Sequence, residues 1–138
     1  MTRYAREALS LAVASALGEA ALLALVTDWA QVGPNVLVFG FLIGPLLFLA
    51  LTVWRRRTHP ARSKVLFGVA LGIAVAGLGA LGVDSYRFQT DPAFRQTPSV
   101  TRMLVPVVQW AVILVVWVWL VAQEMKDRRA AKNRTQSP

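Results

Sequence analysis

Residues 103–122 read MLVPVVQWAVILVVWVWLVA, a run of twenty residues without one charged side chain. At about 1.5 Å of rise per residue, a helix of this length reaches about 30 Å, the thickness of the hydrocarbon core of a bilayer. Three more apolar stretches of similar length lie at 8–27, 35–54 and 65–83. The sequence therefore predicts an all-α membrane protein, a single integral membrane domain over residues 1–138 with four transmembrane helices in an antiparallel bundle.

Basic residues are distributed unevenly about these spans, in a chain whose net charge is +8. Twelve of the fifteen would share one side of a four-span chain: Arg3, Arg6, Arg55, Arg56, Arg57, Arg62, Lys64, Lys126, Arg128, Arg129, Lys132 and Arg134. The positive-inside rule places that side, with both termini and the tail 126–138, in the cytoplasm. Basic residues beside spans favour contact with anionic lipid headgroups, and their placement argues against nucleic-acid binding.

Small residues recur at helical spacing in three of the spans, where they allow helix backbones to approach closely. The positions predicted to serve helix packing are Ala12, Ser15 and Ala16 in span one, Gly40 and Gly44 in span two, and Gly68, Gly72 and Gly79 in span three. Packing within the four-helix bundle is the favoured interpretation. Contact with another chain stays open, because the third span has more glycines than one neighbour requires.

Glu19 lies near the middle of a predicted span, where an ionisable side chain normally faces protein or water. Counting residues from the outer ends of the spans places Gln109 and Pro45 at similar depths. Because Pro45 has no N–H, the carbonyl of Phe41 lacks its helical donor, and a nearby carboxylic acid or amide could supply one. We therefore predict an intramembrane polar cluster of Glu19, Gln109, Pro45 and the Phe41 carbonyl.

Two interpretations of Glu19 follow. A neutral Glu19 would link helices by hydrogen bonding. A charged Glu19 could instead couple proton or cation movement, which requires a water path and a second polar group. Spans two and three carry almost no polar side chain at that depth, so a pore within one chain is disfavoured. A homo-oligomer with several Glu19 side chains around one axis would answer this objection.

The link between spans three and four, the outer loop 84–102, contains no glycine. Asp91 followed by Pro92 is typical of a helix start, and Arg95 is placed to pair back with Asp91. A short interfacial helix is predicted here, either lying in the headgroups or forming a docking platform for a larger complex. The residues predicted to form that platform are Tyr86, Arg87, Phe88, Asp91, Phe94 and Arg95.

No pattern in the chain suggests catalysis, and we expect no enzyme activity, metal or cofactor. Cysteine is absent, and the one histidine, His59, lies in the basic link between spans two and three. Carboxylates are scattered, so no acid/base pair can be nominated.

Twelve Arg against three Lys, with many Ala, Val and Leu residues, suit a high-GC bacterial genome and hence a bacterial inner membrane. A small hydrophobic chain with packing surface and no reaction chemistry is best interpreted as an accessory or scaffold subunit, bound to other membrane protein subunits. The alternative is a small homo-oligomeric channel or proton-coupled transporter that uses Glu19.

Overall fold

The computed structural model describes the backbone of residues 1–26, 32–96 and 99–135, and the side chains of residues 1–26, 39–95 and 99–133. The helices are α1 (Arg3–Ala24), α2 (Val32–Arg55), α3 (Pro60–Thr90) and α4 (Val100–Thr135), with a 3₁₀ turn at Phe94–Gln96. The described residues contain no strand, so the all-helical prediction is confirmed for them. Residue 27, residues 28–31 of the predicted link and residues 136–138 of the predicted tail lie outside this description.

Three helices are long and apolar enough to cross a membrane: Arg3–Ala24, Pro60–Thr90 and the part of α4 over Val100–Asn133. Helix α2 has 24 residues, and its part with described side chains, Phe39–Arg55, is apolar but shorter. The side chains at 35–38, which begin the predicted second span, lie outside the description. Three of the four predicted spans thus lie in helices long and apolar enough to cross a membrane, which is consistent with the predicted membrane protein.

Local sequence explains where the helices begin. The hydroxyl of Thr2 accepts a hydrogen bond from the backbone N–H of Ala5, which caps the start of α1. Pro60 occupies the first turn of α3, where the missing N–H costs nothing and the ring favours helical φ. Both devices extend the helices beyond the apolar runs, so α1 and α3 start five residues before the predicted spans.

The outer loop is shorter than predicted. Helix α3 continues through residues 84–90, so only 91–99 separate it from α4. The reason is that these seven residues contain neither Gly nor Pro, which often end a helix. In addition, the side chain of Asp84 is buried in the protein and does not face solvent. Helix α4 likewise extends far into the predicted tail, to Thr135.

Each of α1 and α4 packs against both α2 and α3, so α1 and α4 lie diagonally across the bundle. Small residues allow this on α1, whose core face consists of Ala5, Ala8, Ala12, Ser15, Ala16, Glu19 and Leu23. Larger apolar side chains fill the space opposite, among them Leu46, Leu49, Val53, Leu66, Ile113 and Leu120. The packing role predicted for Ala12, Ser15 and Ala16 thus agrees with their burial.

One end of the bundle, called the basic end, joins the start of α1 and α3 to the ends of α2 and α4. The backbone N–H of Thr2 donates to the carbonyl of Arg57 at 3.0 Å. Arg56 pairs with Glu124 at 2.8 Å, and Arg62 pairs with Asp127. These contacts bring together basic residues from three separate parts of the chain.

The glycines require a correction. A Cβ built on Gly40, Gly68, Gly72 or Gly79 would meet no heavy atom within 4 Å, so these glycines do not pack inside the bundle. On α3 the reason is rotational: Leu66, Ala70, Ile73 and Leu81 turn toward the core, which directs the glycine face outward. Gly44 alone of the five predicted glycines contacts another helix, since its Cβ would lie 3.0 Å from the Trp110 ring.

Candidate functional site

Glu19 and Gln109 meet inside the bundle. The side-chain Nε2 of Gln109 donates to Oε1 of Glu19 at 2.7 Å. Glu19 is only 1% exposed and Gln109 only 4%, so neither side chain faces the lipid or the solvent. The structure thus brings together two of the four members of the predicted polar cluster.

Gly77 makes this contact possible, because α1 and α4 are diagonal in the bundle and α3 lies beside both. A Cβ on Gly77 would lie 2.6 Å from Nε2 of Gln109 and closer still to Oε1 of Glu19. Only a residue without a side chain leaves room for the pair. The sequence reasoning did not assign Gly77 to the cluster, although a glycine at the depth of two polar residues was the available signal.

The other half of the predicted cluster needs correction. Pro45 is buried, but the Phe41 carbonyl that it leaves free accepts from the indole Nε1 of Trp110 at 3.3 Å, not from Glu19 or Gln109. Successive residues on a helix point about 100° apart. Gln109 therefore turns toward α1 and α3, while Trp110 turns toward α2. The cluster is two separate pairs, Glu19 with Gln109 and Phe41 with Trp110.

The Gln109 amide is only half satisfied. Its Oε1 is buried, and no partner for it exists in the described part of the chain. A buried amide oxygen without a hydrogen bond costs roughly 1–3 kcal/mol. Gln109 is thus held in place on one side only, through Glu19.

A groove of about 440 Å³ lies between α3 and α4 and passes over Gly77 and Gln109. Its α3 wall is built from small residues and its α4 wall from larger apolar ones: Val69, Gly72, Ile73, Ala76 and Ala80 on α3, and Leu104, Val105, Val108 and Val112 on α4. We call it the α3–α4 groove. Gln109 lines the groove and is hydrogen-bonded to Glu19, which does not line it.

Comparison with protein-family models, curated proteins and solved structures finds no match for this chain. The candidate site therefore rests on its own geometry. Among the described residues, no three His, Asp or Glu side chains are grouped as they would be to hold a metal ion.

Asp84 anchors the end of the bundle opposite the basic end. Its carboxylate accepts from the Ser99 hydroxyl and, at 2.6 Å, from Nε of Arg102. The Asp84 side chain is 2% exposed and that of Arg102 is 24% exposed. These bonds tie α3 to the start of α4. The sequence prediction placed both residues at the two ends of the outer loop 84–102 and missed this network, whose one signal is an Asp immediately after an apolar run.

The predicted docking residues at this end are arranged around the same network. Asp91 caps the short 3₁₀ turn, because its Oδ1 accepts from the backbone N–H groups of Ala93 and Phe94. Arg95 does not pair back with Asp91, which corrects the prediction. It donates instead to the carbonyls of Phe88 and Gln89, at 2.7 and 2.6 Å, because the continued α3 presents free C-terminal carbonyls there.

Aromatic and basic groups remain on the outside of this end. Tyr86 and Arg87 are exposed on the last turns of α3. The Arg102 guanidinium lies 4.8 Å from the ring centre of Phe88, a cation–π contact. The predicted docking residues therefore come from the end of a long helix and from a tight turn.

Proposed function

We propose that this chain is a non-catalytic accessory or scaffold subunit of a larger bacterial inner-membrane complex, to which it contributes a helix-packing surface. The observation that carries the proposal is the outward strip of small residues on α3. Gly68, Gly72, Ala76 and Gly79 are exposed, and the three glycines have nothing within 4 Å of a Cβ position.

The chemistry of this strip favours a partner helix. Lipid tails give apolar helices no hydrophobic reason to associate, so small residues that allow close backbone approach are the usual device. Gly68, Gly72 and Ala76 repeat every four residues and lie on one face. Gly72 and Ala76 also line the α3–α4 groove, which can receive bulky side chains from the approaching helix. We propose that a transmembrane helix of another protein occupies this strip and groove.

Charge and exposure support the orientation and a second contact. The basic end would face the cytoplasm, with both termini there and the four helices antiparallel. Anionic headgroups would surround that end. The opposite end would then present Tyr86 and Arg87 outside the membrane, next to the Asp84 network, for contact with the same complex.

Gly72→Leu tests the proposal. The protein is solubilised gently from its source membrane, separated by size, and everything that co-migrates is identified. We expect wild type to co-migrate with other membrane proteins, and Gly72→Leu to lose this association by at least tenfold, about 1.4 kcal/mol, because the added side chain holds the backbones apart. Gly40→Leu is the matched control, since Gly40 is equally open but lies on α2.

Three results would count against the subunit proposal. A wild-type chain that migrates alone has no partner to support. Equal co-migration of Gly72→Leu and wild type would remove the α3 strip from the interface. A pure homo-oligomer would favour the alternative function, a channel or proton-coupled transporter.

The alternative, a homo-oligomeric channel or proton-coupled transporter, is favoured by one observation: an ionisable side chain, Glu19, inside the membrane-spanning part of the bundle. Against it stands the direction of that side chain, which turns toward Gln109 in its own chain and is 1% exposed. A ring of Glu19 side chains around a shared axis would require each bundle to open.

Glu19→Gln separates the two functions. A glutamine keeps the shape and can still bond the Gln109 amide, so as an interhelical link it should change the free energy of unfolding by less than about 1 kcal/mol. Glu19→Ala, which removes the bond and leaves a cavity, should cost about 2 kcal/mol. Stability is measured by unfolding in detergent micelles, and flux in proteoliposomes. Proton or cation flux that Glu19→Gln abolishes would establish the transporter instead.

A further inference from the structure

A second cavity, of about 320 Å³, lies between α2 and α4 at the basic end, on a different side of the bundle from the α3–α4 groove. We call it the α2–α4 cleft. One part of its lining is polar, with Arg55, Arg56 and Glu124, and the other is apolar, with Phe48, Leu51 and Trp117. Phe48 and Arg55 are seven positions apart, which is about 10 Å along the helix, so the cleft changes from apolar to charged within two turns.

The charges of the cleft do not balance. Arg56 is buried and bonds Glu124 through Nε at 2.8 Å, and Arg62 lies 3.6 Å from the same carboxylate. Arg55 is exposed, and no salt bridge joins it to any carboxylate among the described residues. Arg62 also pairs with Asp127, and it does not line the cleft. The lining itself holds two guanidinium groups, those of Arg55 and Arg56, against the one carboxylate of Glu124, so the excess positive charge lies at Arg55. A group with negative charge is the complement.

The apolar part of the cleft indicates what carries that negative charge. The ring centres of Phe48 and Trp117 lie 6.3 Å apart, so the two rings contact each other and form an aromatic surface on this part of the cleft. Leu51 is 54% exposed on the apolar part of α2, and Trp117 is 38% exposed on α4, which is long and apolar enough to cross a membrane. A free phosphate ion would gain nothing from these surfaces. A phospholipid carries its phosphate and its acyl chains at a separation similar to that between the charged and the apolar part of the cleft.

We propose that the α2–α4 cleft binds one anionic phospholipid, with its phosphate at Arg55 and an acyl chain over Leu51 and Trp117. An anionic headgroup fits better than a zwitterionic one because Glu124, the carboxylate available to a choline or ethanolamine ammonium, is already neutralised by Arg56. Arg57, stacked 4.1 Å from the Trp54 ring on the same end of α2, adds positive potential nearby. The site goes beyond the subunit function and does not depend on the α3 strip.

Native mass spectrometry of the full chain, delipidated in detergent, tests the site. Three probes are titrated: dioleoyl phosphatidylglycerol, dioleoyl phosphatidylcholine and water-soluble glycerol phosphate. We expect wild type to bind one phosphatidylglycerol per chain and to bind phosphatidylcholine and glycerol phosphate at least about tenfold more weakly. Phosphatidylcholine lacks the net negative charge, and glycerol phosphate lacks the acyl chains.

Three variants sharpen the test. Arg55→Gln should weaken phosphatidylglycerol binding about tenfold, the loss of one charge-assisted contact. Arg55→Lys, which keeps the charge, should retain most of the binding. Arg129→Gln removes the same charge from an exposed position on the α4 tail and should bind like wild type. Circular dichroism of each variant verifies that the helices are intact.

Several results would overturn the site. Equal losses in Arg55→Gln and Arg129→Gln would mean diffuse attraction by the whole basic end. Equal binding of phosphatidylcholine and phosphatidylglycerol would mean that the cleft does not distinguish headgroups by their charge. Tight binding of glycerol phosphate would make the cleft a phosphate site without a lipid role. Each outcome is independent of whether Gly72→Leu loses a protein partner.

Discussion

Asp84→Ala should lower the free energy of unfolding by about 3 kcal/mol, the lower end of the cost of breaking a buried ion pair. The Asp84 side chain is 2% exposed and holds both Arg102 and Ser99. Removal leaves the Arg102 guanidinium without a carboxylate, and because that side chain is 24% exposed, water and headgroups can recover part of the loss. Equilibrium unfolding in mixed detergent micelles measures the effect.

Asp91→Ala is the matched control for Asp84→Ala. Asp91 is exposed and caps only the short turn at Phe94, so its loss should cost about 1 kcal/mol or less. Asp84→Asn adds a second comparison, because the amide keeps hydrogen-bonding capacity while it removes the charge. If Asp84→Ala and Asp91→Ala were equally stable, the Asp84 network would not hold α3 to α4.

Gly77→Ala should destabilise the bundle by about 2 kcal/mol, although alanine is the better helix former. The new methyl group would overlap the two atoms that join Glu19 to Gln109. The Glu19 carboxylate and the Gln109 amide can move away from the methyl group only by breaking the hydrogen bond between them, because both side chains are buried. The Gln109 oxygen already has no partner among the described residues. Unfolding in micelles gives the change in stability.

Gly79→Ala is the control, two residues along the same helix and open on its outer side. Its stability should equal that of wild type or exceed it by up to about 1 kcal/mol, through helix propensity. A double variant, Gly77→Ala with Glu19→Ala, should cost less than the sum of the two single changes, because removal of the carboxylate makes room for the methyl group. Strict additivity of the two costs would mean that Gly77 and Glu19 do not share this space.

Much of the candidate site could be predicted, because depth in a membrane helix follows from counting residues. Glu19 and Gln109 were placed at similar depths by their distance from the span ends, and the structure joins them at 2.7 Å. The donor to the Phe41 carbonyl was predicted wrongly. Depth does not distinguish Gln109 from Trp110, which are neighbours in sequence but face different helices.

The glycines also show that sequence does not reveal which neighbouring helix a residue faces. Their spacing predicted close packing, and spacing alone cannot say toward which neighbour a helix face is turned. Gly77, outside the predicted packing set, opens the space for the polar pair, while Gly72 turns outward. The rotation of α3 about its own axis decides this, and it depends on how Leu66 and Ile73 fit between the other helices.

The sequence by itself determined that the described residues are largely helical, which stretches have the length and hydropathy of membrane spans, and that the basic residues lie outside those stretches. These properties follow from the composition of single segments, each of which meets the bilayer separately. Only the tertiary structure decided that α1 and α4 lie diagonally, that Asp84 holds Arg102, and that Arg55 forms no salt bridge with a carboxylate of the described residues. The physical reason is that lipid favours every apolar helix face alike, so the choice of neighbours comes from side-chain packing and hydrogen bonding between segments far apart in the chain.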